Sequence, residues 1–102
     1  MKYQTTPAFE RDYRRLPPQH RAAFRAAVTR FNACAEEAAR GVADPWTRGL
    51  RVKAVRGTSG IWEMTWSMDE PDGRATWEWI EIDGEPAVRW RRIGGHAVLR
   101  AP

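Results

Sequence analysis

Residues 57–66 read Gly57-Thr58-Ser59-Gly60-Ile61-Trp62-Glu63-Met64-Thr65-Trp66, a glycine-bounded turn running into strict alternation. Trp62, Met64 and Trp66 fall on one side of an extended chain, with Ile61, Glu63 and Thr65 on the other. A period of two lets a strand bury one face, because successive side chains leave opposite sides of the pleat. The period continues in both directions. Upstream, Leu50, Val52 and Ala54 alternate with Arg51 and Lys53, which predicts a strand over 50–54. Downstream, Met68-Asp69-Glu70-Pro71-Asp72-Gly73 has the composition of a hairpin turn. A strand over 74–82, a turn at Asp83-Gly84-Glu85-Pro86 and a last strand over 87–93 follow. Short turns join antiparallel neighbours, so the economical arrangement is a four-strand meander.

The first half has a helical period instead. Thr6-Pro7 reads as an N-cap followed by proline at the first helical position, where its missing N–H costs nothing. Phe9, Tyr13 and Leu16 give this helix one apolar face, and Pro17-Pro18 ends it and opens the next. A second helix is predicted over 18–40. Phe24, Val28, Phe31, Ala35 and Ala38 form its buried stripe, Arg21, Arg25 and Arg30 look outward, and Gly41 caps it. Residues 1–5 make a short strand, ordered by pairing elsewhere. Helices first and strands after give an α+β class. One domain over 1–102 is expected: a short strand and a helical hairpin on one face of an antiparallel sheet, in the order β-α-α-β-β-β-β.

Composition narrows the function classes. With 42% hydrophobic and 29% charged residues, the chain is neither a disordered tail nor a membrane protein. The opening Met1-Lys2-Tyr3-Gln4-Thr5-Thr6 lacks the apolar stretch that directs export, and the single cysteine, Cys34, suits a reducing compartment. Both point to the cytoplasm. Cys34 sits on an alanine-rich helix without basic neighbours, which fits a buried, inert thiol. His20, His96 and Cys34 are too scattered for a zinc set, and no glycine loop cradles a phosphate, so no metal and no cofactor are expected. The net charge of +4 suits an anionic partner. Most of the six tryptophans read as core filler, leaving one or two as stacking platforms for bases.

The charged residues then sort by strand parity. Arg51 and Lys53 project opposite Leu50 and Val52, with Arg56 at the strand's end. Arg89 and Arg91 share a face of the last strand, Arg92 ends it, and His96 follows across Gly94-Gly95, a pair whose backbone freedom would re-aim the imidazole. Metal-free RNA cleavage by the ribose 2′-hydroxyl requires such a set. It needs a proton acceptor, a proton donor, and cations for the charge that develops on phosphorus. Histidine is the natural proton carrier, and Glu63, on the same face, is a second. Ordinary readings stand beside these. Arg89, Arg91 and Arg92 pair with Glu78 and Glu81 across the hairpin, Glu63 partners a cation, and His20 is merely solvated.

Leu50-Arg51-Val52-Lys53, Gly60-Ile61-Trp62-Glu63-Met64 and Arg92-Ile93-Gly94-Gly95-His96, in this order, resemble motifs of the RelE/ParE superfamily of bacterial toxins. The basic strand looks like that of RelE, which implies Arg51 and Lys53 as catalytic or RNA-positioning cations. The Gly-x-Trp-Glu piece is similar to a segment of HigB-type toxins. The ending is similar to the Arg-x-Gly-Thr-His segment of YafQ-like ribonucleases, which implies Arg92 as a transition-state cation and His96 as a proton-transfer residue. RelE's C-terminal tyrosine has no counterpart in Leu99-Arg100-Ala101-Pro102, leaving His96 as the leading acid or base. The resemblance implies a type II toxin, a cognate antitoxin as partner, and mRNA on the ribosome as substrate. A ParE-like gyrase-inhibiting toxin and a non-enzymatic RNA- or protein-binding module are the alternatives on the same fold.

Overall fold

A computed structural model describes residues 1–67 and 72–102. Most of the hairpin turn expected over residues 68–73 lies outside the described residues. The elements run β1 (Tyr3–Thr5), α1 (Pro7–Arg15), α2 (Pro18–Ala39), β2 (Lys53–Ala54), β3 (Trp62–Ser67), β4 (Gly73–Ile82) and β5 (Glu85–Gly94). Two 3-10 turns, Arg48–Leu50 and His96–Arg100, flank the sheet region.

The local signals act where the sequence puts them. Thr6 is extended, and its hydroxyl accepts the Phe9 N–H at 3.1 Å. The same hydroxyl donates to the Arg91 carbonyl at 2.6 Å, so one side chain both caps α1 and ties it to β5. Gly41, at φ +84°, ends α2 and donates its N–H to the Ala38 carbonyl. Asp83 and Gly84 both take positive φ, as a two-residue hairpin turn requires. The turn is therefore shorter than expected, and Glu85 and Pro86 pair within β5.

The strand order is β1-β5-β4-β3-β2. The meander is present, but β1 adds to it in parallel, with Tyr3 opposite Val88 and Thr5 opposite Trp90. The sheet is accordingly five-stranded and mixed rather than purely antiparallel. The strand expected over 50–54 is also corrected. Leu50 is carried into the core by the 3-10 turn, and Arg51 is left-handed (φ 47°, ψ 45°), which interrupts the extended run. Pairing begins only at Lys53, and Val55 rather than Ala54 is buried. A bulge marks the other side of the sheet. Thr76 faces Arg92 and Trp77 faces Trp90, leaving Arg91 as the extra residue.

The core lies between the hairpin and one face of this sheet. Phe31 is fully buried, with ring centroids 5.2, 5.0 and 4.9 Å from Trp46, Trp77 and Trp90. Ala27, Cys34 and Ala35 complete the buried face of α2, whereas Val28 and Ala38 are only half-buried. The stripe is thus rotated slightly from the one read off the periodicity. His20 is not simply solvated: it is half-buried, 5.6 Å from the Trp66 ring. That indole covers Gly73, where a Cβ would overlap it, and donates to the Arg74 carbonyl at 2.9 Å. Among the described residues no helix is long and apolar enough to cross a membrane.

Two substitutions test this packing. Phe31→Ala should cost about 3–5 kcal/mol in a urea unfolding titration. Thr6→Ala should cost about 1–2 kcal/mol, because the cap and the tie to β5 are lost together. A Phe31→Ala variant within 1 kcal/mol of wild type, on the order of a surface change, would be incompatible with this core.

Candidate functional site

On the sheet face turned away from the helices, one row of paired positions runs Lys53, Glu63, Thr76 and Arg92, and the next runs Thr65, Arg74 and Gly94. This face was expected to be open. Instead the chain after β5 folds back across its middle. Pro102 accepts hydrogen bonds from Thr76 Oγ1 at 3.1 Å and Arg91 Nε at 3.0 Å, and the Ala101 carbonyl accepts from Arg92 Nη1 at 3.1 Å. Glu63 and Arg74 are consequently only 5% and 7% exposed, although no α-helix covers them. A groove of about 520 Å³ remains between β2 and the His96–Arg100 turn, with Lys53, Arg56, Glu63, Arg74, His96 and Leu99 along its walls.

The diglycine aims His96 differently from the expectation. Neither Gly94 nor Gly95 takes a positive φ. Gly94 is small because Val98 packs onto it, with Cγ1 3.0 Å from where a Cβ would stand. His96 then begins the 3-10 turn, exposed at the groove.

Charge in the groove centres on Arg74. Its Nε lies 3.4 Å from Glu63 Oε1, and its Nη1 donates to Asp72. The Asp72 carboxyl is held below the usual carboxylate range, first by that hydrogen bond, which outweighs the opposing desolvation, and further by the charges of Arg74, Arg51 and His96. Arg51 and His96 therefore act on one carboxylate, although Arg51 is not on a strand. Arg74 Nε and Thr65 Oγ1 are buried without a hydrogen-bond partner among the described residues.

The remaining predicted cations are engaged elsewhere, and none lines the groove. Arg89 reaches Gln4 at 3.1 Å and Glu78 at 3.5 Å, and Arg91 reaches Glu78 at 2.8 Å. Arg92 grips Asp12 of α1 through two nitrogens, at 2.7 and 3.3 Å, and this hydrogen bonding raises its pKa further. Arg92, in regular register opposite Thr76, is committed to Asp12 and does not line the groove that holds His96. The pairing with Glu78 matches the ordinary reading of Arg89 and Arg91, while Arg92 uses Asp12 instead of Glu81.

A second groove, about 610 Å³, lies toward the end of α2, where Trp46, Trp62, Trp77 and Trp79 gather with Glu81. It holds no proton-transfer pair. Among the described residues no group of three or more His, Cys, Asp or Glu is placed to hold a metal ion.

No family model matches the sequence, and no curated protein matches it either. Among solved structures, a YoeB/ParE toxin from Agrobacterium tumefaciens aligns over 94% of this chain and 99% of its own, with a TM-score of 0.56 and 17% identity. The chain has the YoeB/ParE toxin fold. The resemblance read from the three short motifs is thereby borne out at the level of the fold. Within the YoeB/ParE-type fold, Arg74 is the groove residue that sequence reasoning missed, together with its partner Asp72. Arg74 shares its strand parity with Thr76 and Glu78, a visible signal. Its neighbours, however, depend on the β3–β4 register, which shifts between Thr65 and Ser67.

Two measurements probe these ion pairs. In a carboxyl NMR titration, Asp72 should titrate below the ~3.9 of a free aspartate, and Arg74→Gln should move its midpoint upward. Any stability this carboxylate contributes is present above the unfolded pKa and is lost as pH falls through the lower folded one. An Arg92→Ala/Asp12→Ala double-mutant cycle should give a coupling of about 1 kcal/mol or more; zero coupling would show that the pair holds nothing together.

Proposed function

We propose that this chain is the toxin of a type II toxin–antitoxin pair, acting in the cytoplasm as a ribosome-dependent mRNA endoribonuclease. The observation that carries the reading is the groove that gathers Lys53, Arg56, Glu63, Arg74 and His96. A proton carrier, a carboxylate and several cations on one concave surface meet the demands of 2′-hydroxyl attack on a phosphodiester. Exposed Lys53 and Arg56, with Arg51 near the rim, bind and align the RNA backbone. The 2′-oxygen forms its bond to phosphorus while Glu63 accepts the hydroxyl proton. The bond to the 5′-oxygen breaks as His96 protonates that oxygen. Arg74 supplies fixed positive charge for the phosphorane, the role first read for Arg92. Fixed charge helps most where water is excluded, and Arg74 is buried. Arg92 acts as a positioning residue, fastening β5 and the chain end to α1. The YoeB/ParE-type fold supports a cognate antitoxin as protein partner, and in this reading mRNA on the ribosome is the substrate.

Expression of the chain without an antitoxin should arrest growth and produce new mRNA 5′ ends within translated regions. His96→Ala and Arg74→Ala should each lower cleavage at least a hundredfold, on the order of one lost acid–base or electrostatic contribution. Lys53→Ala should weaken binding more than the saturated rate. Arrest with intact mRNA and trapped gyrase–DNA breaks would assign the chain to the gyrase-directed alternative.

A further inference from the structure

The cations, Arg74 in the groove and those outside it, divide sharply. Arg74, Arg89, Arg91 and Arg92 are paired with carboxylates. Arg11, Arg14, Arg15 and Arg21, on the helical hairpin, have no ion pair among the described residues. Arg11, Arg14 and Arg15 are exposed and stand at the i, i+3, i+4 spacing that stacks side chains on one helix face. Arg21 and Arg25 repeat the i, i+4 spacing on α2, and Arg25 donates to the Tyr13 hydroxyl at 2.9 Å, joining the two helices. The acids of α1 do not offset this charge. Asp12 is taken by Arg92 and the Ile93 N–H, and Glu10 accepts from Thr5 at 2.7 Å.

We propose that this arginine surface is a second RNA-binding face, taking the phosphate backbone of double-helical RNA on the side of the sheet opposite the groove. It rests on the ribonuclease reading for its choice of RNA. The chemistry of the patch selects the class. All its cations are arginines, whose planar forks match phosphate oxygens in pairs. A protein partner needs an apolar anchor, and the apolar groove beside the hairpin, lined by Tyr3, Phe9, Tyr13, Phe24 and Val28, lies along the inward side of α1, away from the exposed Arg11, Arg14 and Arg15. A single strand needs rings on which bases stack, and the ring between the helices, Tyr13, is half-buried against Phe9 and Phe24. What the surface offers is charge at fixed helical spacing, suited to a regular duplex backbone read by shape. The groove and the hairpin then engage different RNA elements, one the strand to be cut and the other a docking helix.

The test is fluorescence anisotropy on the whole chain with four probes: a short RNA duplex, an RNA single strand, a DNA duplex of the same length, and polyglutamate. An Arg11→Ala/Arg14→Ala/Arg15→Ala variant should bind the RNA duplex roughly tenfold or more weakly, with its log–log salt slope shallower by about two units. Its single-strand affinity should change little. Lys53→Ala/Arg56→Ala should show the reverse selectivity. Replacing the same three arginines by lysine keeps the charge and should retain most of the slope. If the alanine variant, with an unchanged melting profile, bound the RNA duplex like wild type, the face would not exist. Losses as large on the DNA duplex or on polyglutamate would overturn the assignment to RNA. Wild-type chain that cuts no mRNA while the duplex losses appear would remove the ribonuclease reading and leave this face standing. Cleavage with unmoved duplex binding would do the opposite.

Discussion

Arg74 lies almost wholly out of solvent on the sheet face that no α-helix covers, with Glu63 beside it and Asp72 at the strand's start. A buried guanidinium is tolerable only with carboxylates close by, and removing one partner would leave an uncompensated charge. That requirement orders the whole face. Glu63 is committed to the centre, Glu78 draws in Arg89 and Arg91, and Asp12 draws Arg92 across to α1. The cations at the groove that have no carboxylate partner among the described residues, Lys53 and Arg56, are exposed. Paired and unpaired cations on this face are thus sorted by which carboxylates the fold brings near, not by strand or by order in the sequence.

The legible part of the fold was written in local chemistry. Thr6-Pro7 starts a helix, Pro17-Pro18 divides two, Gly41 and Asp83-Gly84 supply positive φ, and alternation marks β3. Each signal acts within a few residues, so sequence alone carries it. The unread features need contacts distant in sequence. The parallel docking of β1 on β5, the left-handed Arg51 that shortens β2, and the bulge at Arg91 all follow from packing. The site divides in the same way. Strand parity singled out Lys53 and Glu63, and the histidine followed from composition. Arg74 required the register, and the engagement of Arg92 by Asp12 required the docking of α1 on β5.

Fold and site answer different questions, since one scaffold hosts unrelated chemistries. The YoeB/ParE-type architecture accounts for the hairpin and the sheet. It does not by itself select cleavage over inhibition by binding. The proposal of cleavage rests on Glu63, Arg74 and His96 lining one polar groove. The larger tryptophan-lined groove near the end of α2, by contrast, has largely apolar walls and Glu81 as its one titratable side chain among the described residues.

The bond-making step leaves a chemical signature. Attack by the 2′-hydroxyl must leave a 2′,3′-cyclic phosphate, or the 3′-phosphate it opens to, and a 5′-hydroxyl. The decisive measurement is the chemistry of the ends made by the purified chain on programmed ribosomes, with a matched mRNA carrying one 2′-deoxy nucleotide at the cut position. The account predicts cyclic phosphate and 5′-hydroxyl ends, and no cut at the deoxy position. Ends bearing a 5′-phosphate and a 3′-hydroxyl, or undiminished cutting at the deoxy nucleotide, would contradict it.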